Sequence, residues 1–256
     1  MEWRRLRADQ LREMARADAM VILPVASLEQ HGPHLPVEVD SMLGETVAIR
    51  AARKIAAKGR QAVVLPVLWT GLSEHHMSFG GTVTLEFAAF AAVVEGVCRS
   101  VLRHGFRRIV LLNAHGGNEN ALRTITDDLT PKLGVPIVQF TYWYAAAAAI
   151  AKILETQGGL MHACEAETSM MLAVRPELVA MDRVGLAQAN STPDVVDVVG
   201  GGVYRWRTIG ARSSSGVIGN PEAATAEKGD RLFEAISTAL ADKLCNRELW
   251  ELPWQS

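Results

Sequence analysis

Between Glu29 and Asp40 the chain reads EQHGPHLPVEVD, two histidines and three acids beside two prolines and a glycine. Carboxylates and imidazoles are the hard-to-borderline ligands that suit Zn²⁺ or Mn²⁺, so a metal site is the first chemistry to weigh. Glu29 and His31 stand two apart. On extended backbone their side chains point the same way, as two ligands of one cluster must; on a helix they would diverge. Asp40 precedes an apolar periodic segment, where an aspartate commonly caps a helix, so ligand and cap are both open for it. His34 lies between Pro33 and Pro36 on restrained backbone and either orients a substrate or faces solvent.

Three more stretches carry chemistry. Ser73, Glu74, His75 and His76 follow an apolar run, as do Asn113, His115 and Asn118 of NAHGGNEN. The glycines of the latter allow two readings: a backbone nest for phosphate, or a sharp turn that aims His115 inward with Asn113 and Asn118 bracing the loop. Neither GxGxxG nor GxxxxGK[ST] is present, which weakens the first. MHACEAETSMML adds His162, Glu165 and Glu167. If this is the start of a helix, the two glutamates point in different directions and only one reaches a shared site. Serine nucleophile chemistry lacks its GxSxG elbow.

The elements that must position these residues follow from the apolar pattern. Short β-branched runs at AMVILPVAS, QAVVLPVLWT, RRIVLLNAH and VPIVQFTYW alternate with longer helical patterns, which predicts a parallel sheet covered on both faces. In such a sheet ligands bind beyond the carboxyl ends of the strands, and three of the four runs lead into the polar residues named above. Asp40 or Ser41 is expected to cap the helix ending near Gly59, and Thr84 the one that runs to Gly105. An alanine-rich helix is expected to reach about Gln157, with a further helix starting near Cys164. Asn190 to Asn220, rich in glycine and serine, reads as a long excursion within one domain spanning residues 1–256.

With 256 residues, 49% of them hydrophobic, the chain can build a substantial core. A formal net charge of -2 gives no general attraction to nucleic acid or anionic lipid. The basic N-terminal stretch lacks a signal-like apolar segment, and no apolar run reaches the ~20 residues of a membrane crossing. Cys98, Cys164 and Cys245 form no CxxC pair; a cytoplasmic, reduced location with buried thiols is expected.

LPVASLEQHGPHLPVEVDSMLGETVA resembles the opening motif of the creatininase family, and HHMSFGGTVTL, NAHGGNEN, HACEAETSMML and GVIGNPEAATAEKG follow in that family's order. The resemblance implies a three-layer α/β/α sandwich with a mainly parallel sheet, and a homo-oligomer, commonly a hexamer. It also implies two divalent ions per subunit, Zn²⁺, Mn²⁺ or both, with Fe²⁺ a further option. Its ligand pattern falls on Glu29, His31, Asp40, His115 and Glu167: Asp40 bridges, Glu29 and His115 complete one ion, His31 and Glu167 the other. His162 takes the position of the proton-transfer histidine. The implied activity is hydrolysis of a C–N bond in a small molecule, with a formamide deformylase or cofactor-precursor peptidase as family alternatives. Outside the family, the competing reading is a phosphate- or nucleotide-binding module built on HGGN. His34, His76 and Trp143 are the expected substrate contacts. Cys164 and Gly80 depart from the family's usual glycine and proline, which removes no ligand.

Overall fold

The structure, a computed structural model, describes residues 1–187 and 205–252. Four parallel strands, β1 (Met20–Val25), β2 (Ala62–Val64), β3 (Arg108–Asn113) and β4 (Ile137–Thr141), form a sheet in the order β2-β1-β3-β4. Each lies within one of the apolar runs named above. The central strand β1 is buried at every position, as a strand covered on both faces must be.

Alternate residues feed two separate cores. Met20, Ile22, Val110 and Leu112 pack on the face covered by α2 (Val39–Ala57) and, among others, by α5 (Ala147–Ile153), α6 (Glu165–Val174) and α7 (Ala226–Cys245). Val21, Leu23, Ile109 and Leu111 pack on the opposite face with α1 (Ala8–Arg16), α3 (Phe87–Arg103) and α4 (Glu119–Leu133). The result is the three-layer α/β/α sandwich. No helix among the described residues is long and apolar enough to cross a membrane.

The chain steps one way from β1 to β2 and the other way from β1 to β3, so the crevice of this sheet opens between the carboxyl ends of β1 and β3. Glu29 and His31 follow β1, and His115 follows β3.

Three local expectations are corrected. The N-cap position of α2 is Glu38, without a side-chain cap bond, and Asp40 sits inside the first turn. Its carboxylate is turned to His31 and His115 instead of to the helix's own N–H groups. Thr84 does not cap α3, whose N-cap position is Glu86; its hydroxyl accepts from the Ser73 N–H at 2.9 Å. The alanine-rich segment begins as a 3₁₀ turn, Tyr142–Ala146, and its α-helix ends at Ile153, because the following residues turn back to meet Glu165. Residues 190–204 of the glycine- and serine-rich excursion lie outside the described residues.

Candidate metal centre

Five side chains from three parts of the sequence converge beyond the strand ends: Glu29, His31, Asp40, His115 and Glu167 are all buried. Their ligand-type atoms form two overlapping groups, Glu29 with Asp40 and His115, and His31 with Asp40 and Glu167. Asp40 is common to both. His162 joins a third group with Glu29 and His31.

Hydrogen bonds to the main chain decide which imidazole nitrogen faces the cluster. His31 Nδ1 lies 3.1 Å from the Glu29 carbonyl, which can only accept, so Nδ1 carries the proton and Nε2 is left facing Asp40 Oδ1 at 3.2 Å and Glu167 Oε2 at 3.9 Å. For His115 the roles reverse. Its Nε2 donates to the Leu72 carbonyl at 3.2 Å, and Nδ1 faces Glu29 Oε2 at 3.0 Å and Asp40 Oδ2 at 3.1 Å. A backbone carbonyl behind each ring is the arrangement that orients a metal-binding histidine.

Local structure explains why the backbone allows this. Asn113 Oδ1 accepts from the His115 N–H, and Asn118 bridges two other segments, accepting from the Leu72 N–H at 2.9 Å and donating to the Ala26 carbonyl at 3.0 Å. Gly117 passes so close to the Leu72 carbonyl and the His75 ring that any Cβ there would collide with both. HGGN is therefore a braced turn that delivers His115. A phosphate at this turn would also meet the carboxylates of Glu29 and Asp40 beside His115, an unfavourable like-charge contact.

Two ligand-type atoms of the cluster, His31 Nε2 and Asp40 Oδ2, are buried without a hydrogen-bond partner, which is costly unless something else satisfies them. Charge tells the same story. Burial pushes the Glu167 carboxyl up to about 8, with Asp40 and Glu29 reinforcing and His31 opposing. Burial draws His31 down, but Asp40 and Glu167 outweigh it and hold it at about 9. His115 is likewise raised despite burial, by Glu29 and Asp40. These directions are those of ligands that release protons on binding metal. On donor set, orphaned atoms and charge, the residues fit two divalent ions.

The remaining candidates fall around this centre. Glu165 points away and pairs with Lys228; of the two glutamates, Glu167 is the one whose carboxylate lies with His31 and Asp40. His162 Nδ1 is 3.5 Å from Glu29 Oε1, and its ring lies 4.4 Å from that of His31. His76 Nε2 is 3.2 Å from the same Glu29 oxygen. His34 is buried with Nε2 2.9 Å from Thr168 Oγ1, so it braces α6 beside Glu167 and does not face solvent. Trp143 is partly buried against the α2 and α7 side of the core, edge-on to Tyr142 and Tyr144. A surface groove of about 1110 Å³ between Tyr144–Ile153 and α7 touches none of the cluster residues.

The sequence assigns no role to two contributors: Ser73, marked only as a polar residue after the second apolar run, and Gln30, not marked at all. Ser73 Oγ donates to Glu29 Oε2 at 2.7 Å and lies 3.1 Å from His115 Nε2, and Ser27 stands behind it in a short hydroxyl contact. Gln30 accepts from the Gly32 N–H through Oε1, so its amide nitrogen faces His76 Nδ1 at 2.9 Å, His162 Nε2 at 3.0 Å and the Gly216 carbonyl. An NH₂ group placed among these acceptors links the two histidines beside Glu29. Position next to Glu29 was the only signal for Gln30.

Comparisons with known proteins point the same way. The family description "Creatininase: Creatinine amidohydrolase" matches residues 4–244. A mycofactocin precursor peptide peptidase of Mycolicibacterium smegmatis (strain ATCC 700084 / mc(2)155) is 32% identical over 237 residues, 88% of this chain and 84% of the relative. A creatinine amidohydrolase of Pseudomonas putida is also 32% identical, over 247 residues and 90% of each chain. Among solved structures, a mutant creatininase of the Zn-Zn type superposes with a TM-score of 0.80 at 27% identity, covering 98% of both chains.

Proposed function

The chain belongs to the creatininase family, and from that premise we propose that residues 1–256 form one binuclear metal-dependent amidohydrolase domain that cleaves a C–N bond of a small molecule. The observation that carries this reading is the carboxylate of Asp40, shared between two groups of ligand atoms. Glu29 and His115 would hold one ion and His31 and Glu167 the other, with Asp40 between them. When bound, such a pair supplies Lewis-acid polarisation of a carbonyl and a water acidified toward neutral pH.

The chain's own residues supply the rest. Amide hydrolysis places the water's oxygen on the carbonyl carbon, breaks the C–N bond and must deliver a proton to the departing nitrogen. Of the three imidazoles beside the Glu29 carboxylate, the His162 side chain is the most open, 14% exposed against 4% for His115 and 2% for His76. A substrate can reach it. His162, whose Nδ1 faces the cluster, would supply the proton that the leaving nitrogen requires. Gln30 holds the His162 ring in place through Nε2, and Ser73 fixes the orientation of Glu29. His76, tied to Glu29 and Gln30, completes the polar wall.

The similar identity to a creatinine amidohydrolase and to a precursor-peptide peptidase keeps two amide classes in view. The test is turnover of metal-reconstituted protein against creatinine, short peptides and formamides. At least one C–N substrate should be hydrolysed, and His162→Ala should lose turnover by roughly 10²-fold or more, the usual scale of a general acid–base group, while keeping both ions. Full turnover in that variant would remove His162 from the mechanism.

A further inference from the structure

Lys228, in the motif that opens α7, has no part in the centre described above, yet it is 7% exposed. Lysines are almost never buried unless paired. Its Nζ donates to Glu165 Oε1 at 2.6 Å and to the Ala223 carbonyl at 2.6 Å, and lies 2.9 Å from Glu155 Oε1. Glu165 is itself fully buried and saturated. Its carboxylate accepts from the N–H groups of Glu155 and Thr156 and from the Thr156 hydroxyl, the last at 2.7 Å.

Glu165 is the first residue of α6, and Glu167, two residues on, leaves the helix in a different direction, toward His31 and Asp40. The first turn of α6 therefore has one carboxylate anchored to Lys228 and one in the metal centre. The anchor also grips the start of the segment that carries His162. Between Leu154 and Cys164 the chain runs without regular structure from Glu165's partners at Glu155 and Thr156 to His162, whose carbonyl accepts from Ile218. Ala163, next to His162, has φ of +53°, a left-handed conformation that an alanine holds only when its surroundings enforce it. Its N–H donates to Glu167 Oε2. α7 is held against α6 at the same level: Gly229 packs its backbone on the Ser169 carbonyl with no room for a side chain, and the Thr225 N–H donates to Ser169 Oγ.

We propose that Lys228 and Glu165 are a positioning pair, which holds the His162 segment and the first turn of α6 at a fixed separation so that His162 and Glu167 reach the metal centre together. The proposal rests on the two-ion reading above.

The test compares wild type with Glu165→Gln, Lys228→Met and Val101→Ala, a buried change in the opposite core that destabilises without touching this region. In metal-free protein, amide hydrogen exchange across residues 155–164 should rise about tenfold or more in the two pair variants and stay at the wild-type level in Val101→Ala. In a Co²⁺ titration read by absorption at a temperature where every variant is folded, the pair variants should bind one of two ions roughly 10- to 100-fold more weakly, the scale of losing a group that orients a ligand. Val101→Ala should bind both as wild type does. Wild-type exchange and Co²⁺ affinity in Glu165→Gln, or equal changes in the control, would overturn the pair's role. Wild type binding fewer than two Co²⁺ ions would refute the two-ion reading, and the exchange data would then decide the pair alone.

Discussion

Asp40 carries two duties at once: it occupies the first turn of α2, and it lies within reach of both His31 and His115. Its position before an apolar helix made a capping role attractive in the sequence; the structure gives the carboxylate to the imidazoles because the crevice lies on that side. The histidines were legible as types at strand ends, but their active nitrogens were not. Those depend on carbonyls of Glu29 and Leu72, which no side-chain pattern displays. Gln30 was invisible for a similar reason, since one of its partners, His162, is 132 residues away. Removing its amide should loosen two histidines while leaving every ligand. Gln30→Ala is therefore expected to lower turnover roughly 10- to 100-fold with metal content unchanged, measured by steady-state kinetics beside elemental analysis. Loss of metal in that variant would place Gln30 in the support of the ligands and not of His162.

The four strands and the site they open onto were legible because buried parallel strands leave uninterrupted β-branched runs, and the polar residues that follow them lie at the open end of the sheet. Helix starts were less legible. The residues expected to cap, Asp40 and Thr84, are short polar groups that here bond across to other segments, and tertiary contacts won over local capping. The length of α5 was overestimated because alanine propensity continues past the point where Glu165 claims the backbone of Glu155 and Thr156. At the loop after β3, close approach is the constraint, so Gly117→Ala must push the Leu72 strand-end segment away from His115. The expected result is a loss of about 1–3 kcal/mol in urea unfolding, the usual scale of overpacking, together with weaker metal binding. A variant as stable as wild type would show that the turn can relax.

At the scale of the molecule, burial governs the thiols, and metal bound at the proposed centre would add to stability. Burial pushes the thiols of Cys98 and Cys164 up to about 12, whereas Cys245 is only half-buried near the end of α7. In native protein at pH 8 a thiol reagent should modify Cys245 alone, and all three cysteines only after unfolding. Rapid labelling of Cys164 without denaturant would mean that the His162 segment opens. Metal held by the proposed ligands would stabilise only the folded state, because those residues converge from the segments after β1 and β3 and from α2 and α6. Restoring Zn²⁺ to chelator-treated protein at about 100 times the dissociation constant should add about 2.7 kcal/mol per ion, about 5.4 kcal/mol for two, and raise the melting temperature by roughly 10–20 °C. The sharing of Asp40 remains the point on which the rest depends. Elemental analysis of purified wild type and Asp40→Ala, each reconstituted and freed of excess metal, tests it directly: about two ions per chain are expected in wild type and fewer than about one in the variant. Two ions retained by Asp40→Ala, or a single ion in wild type, would contradict a centre built around that carboxylate.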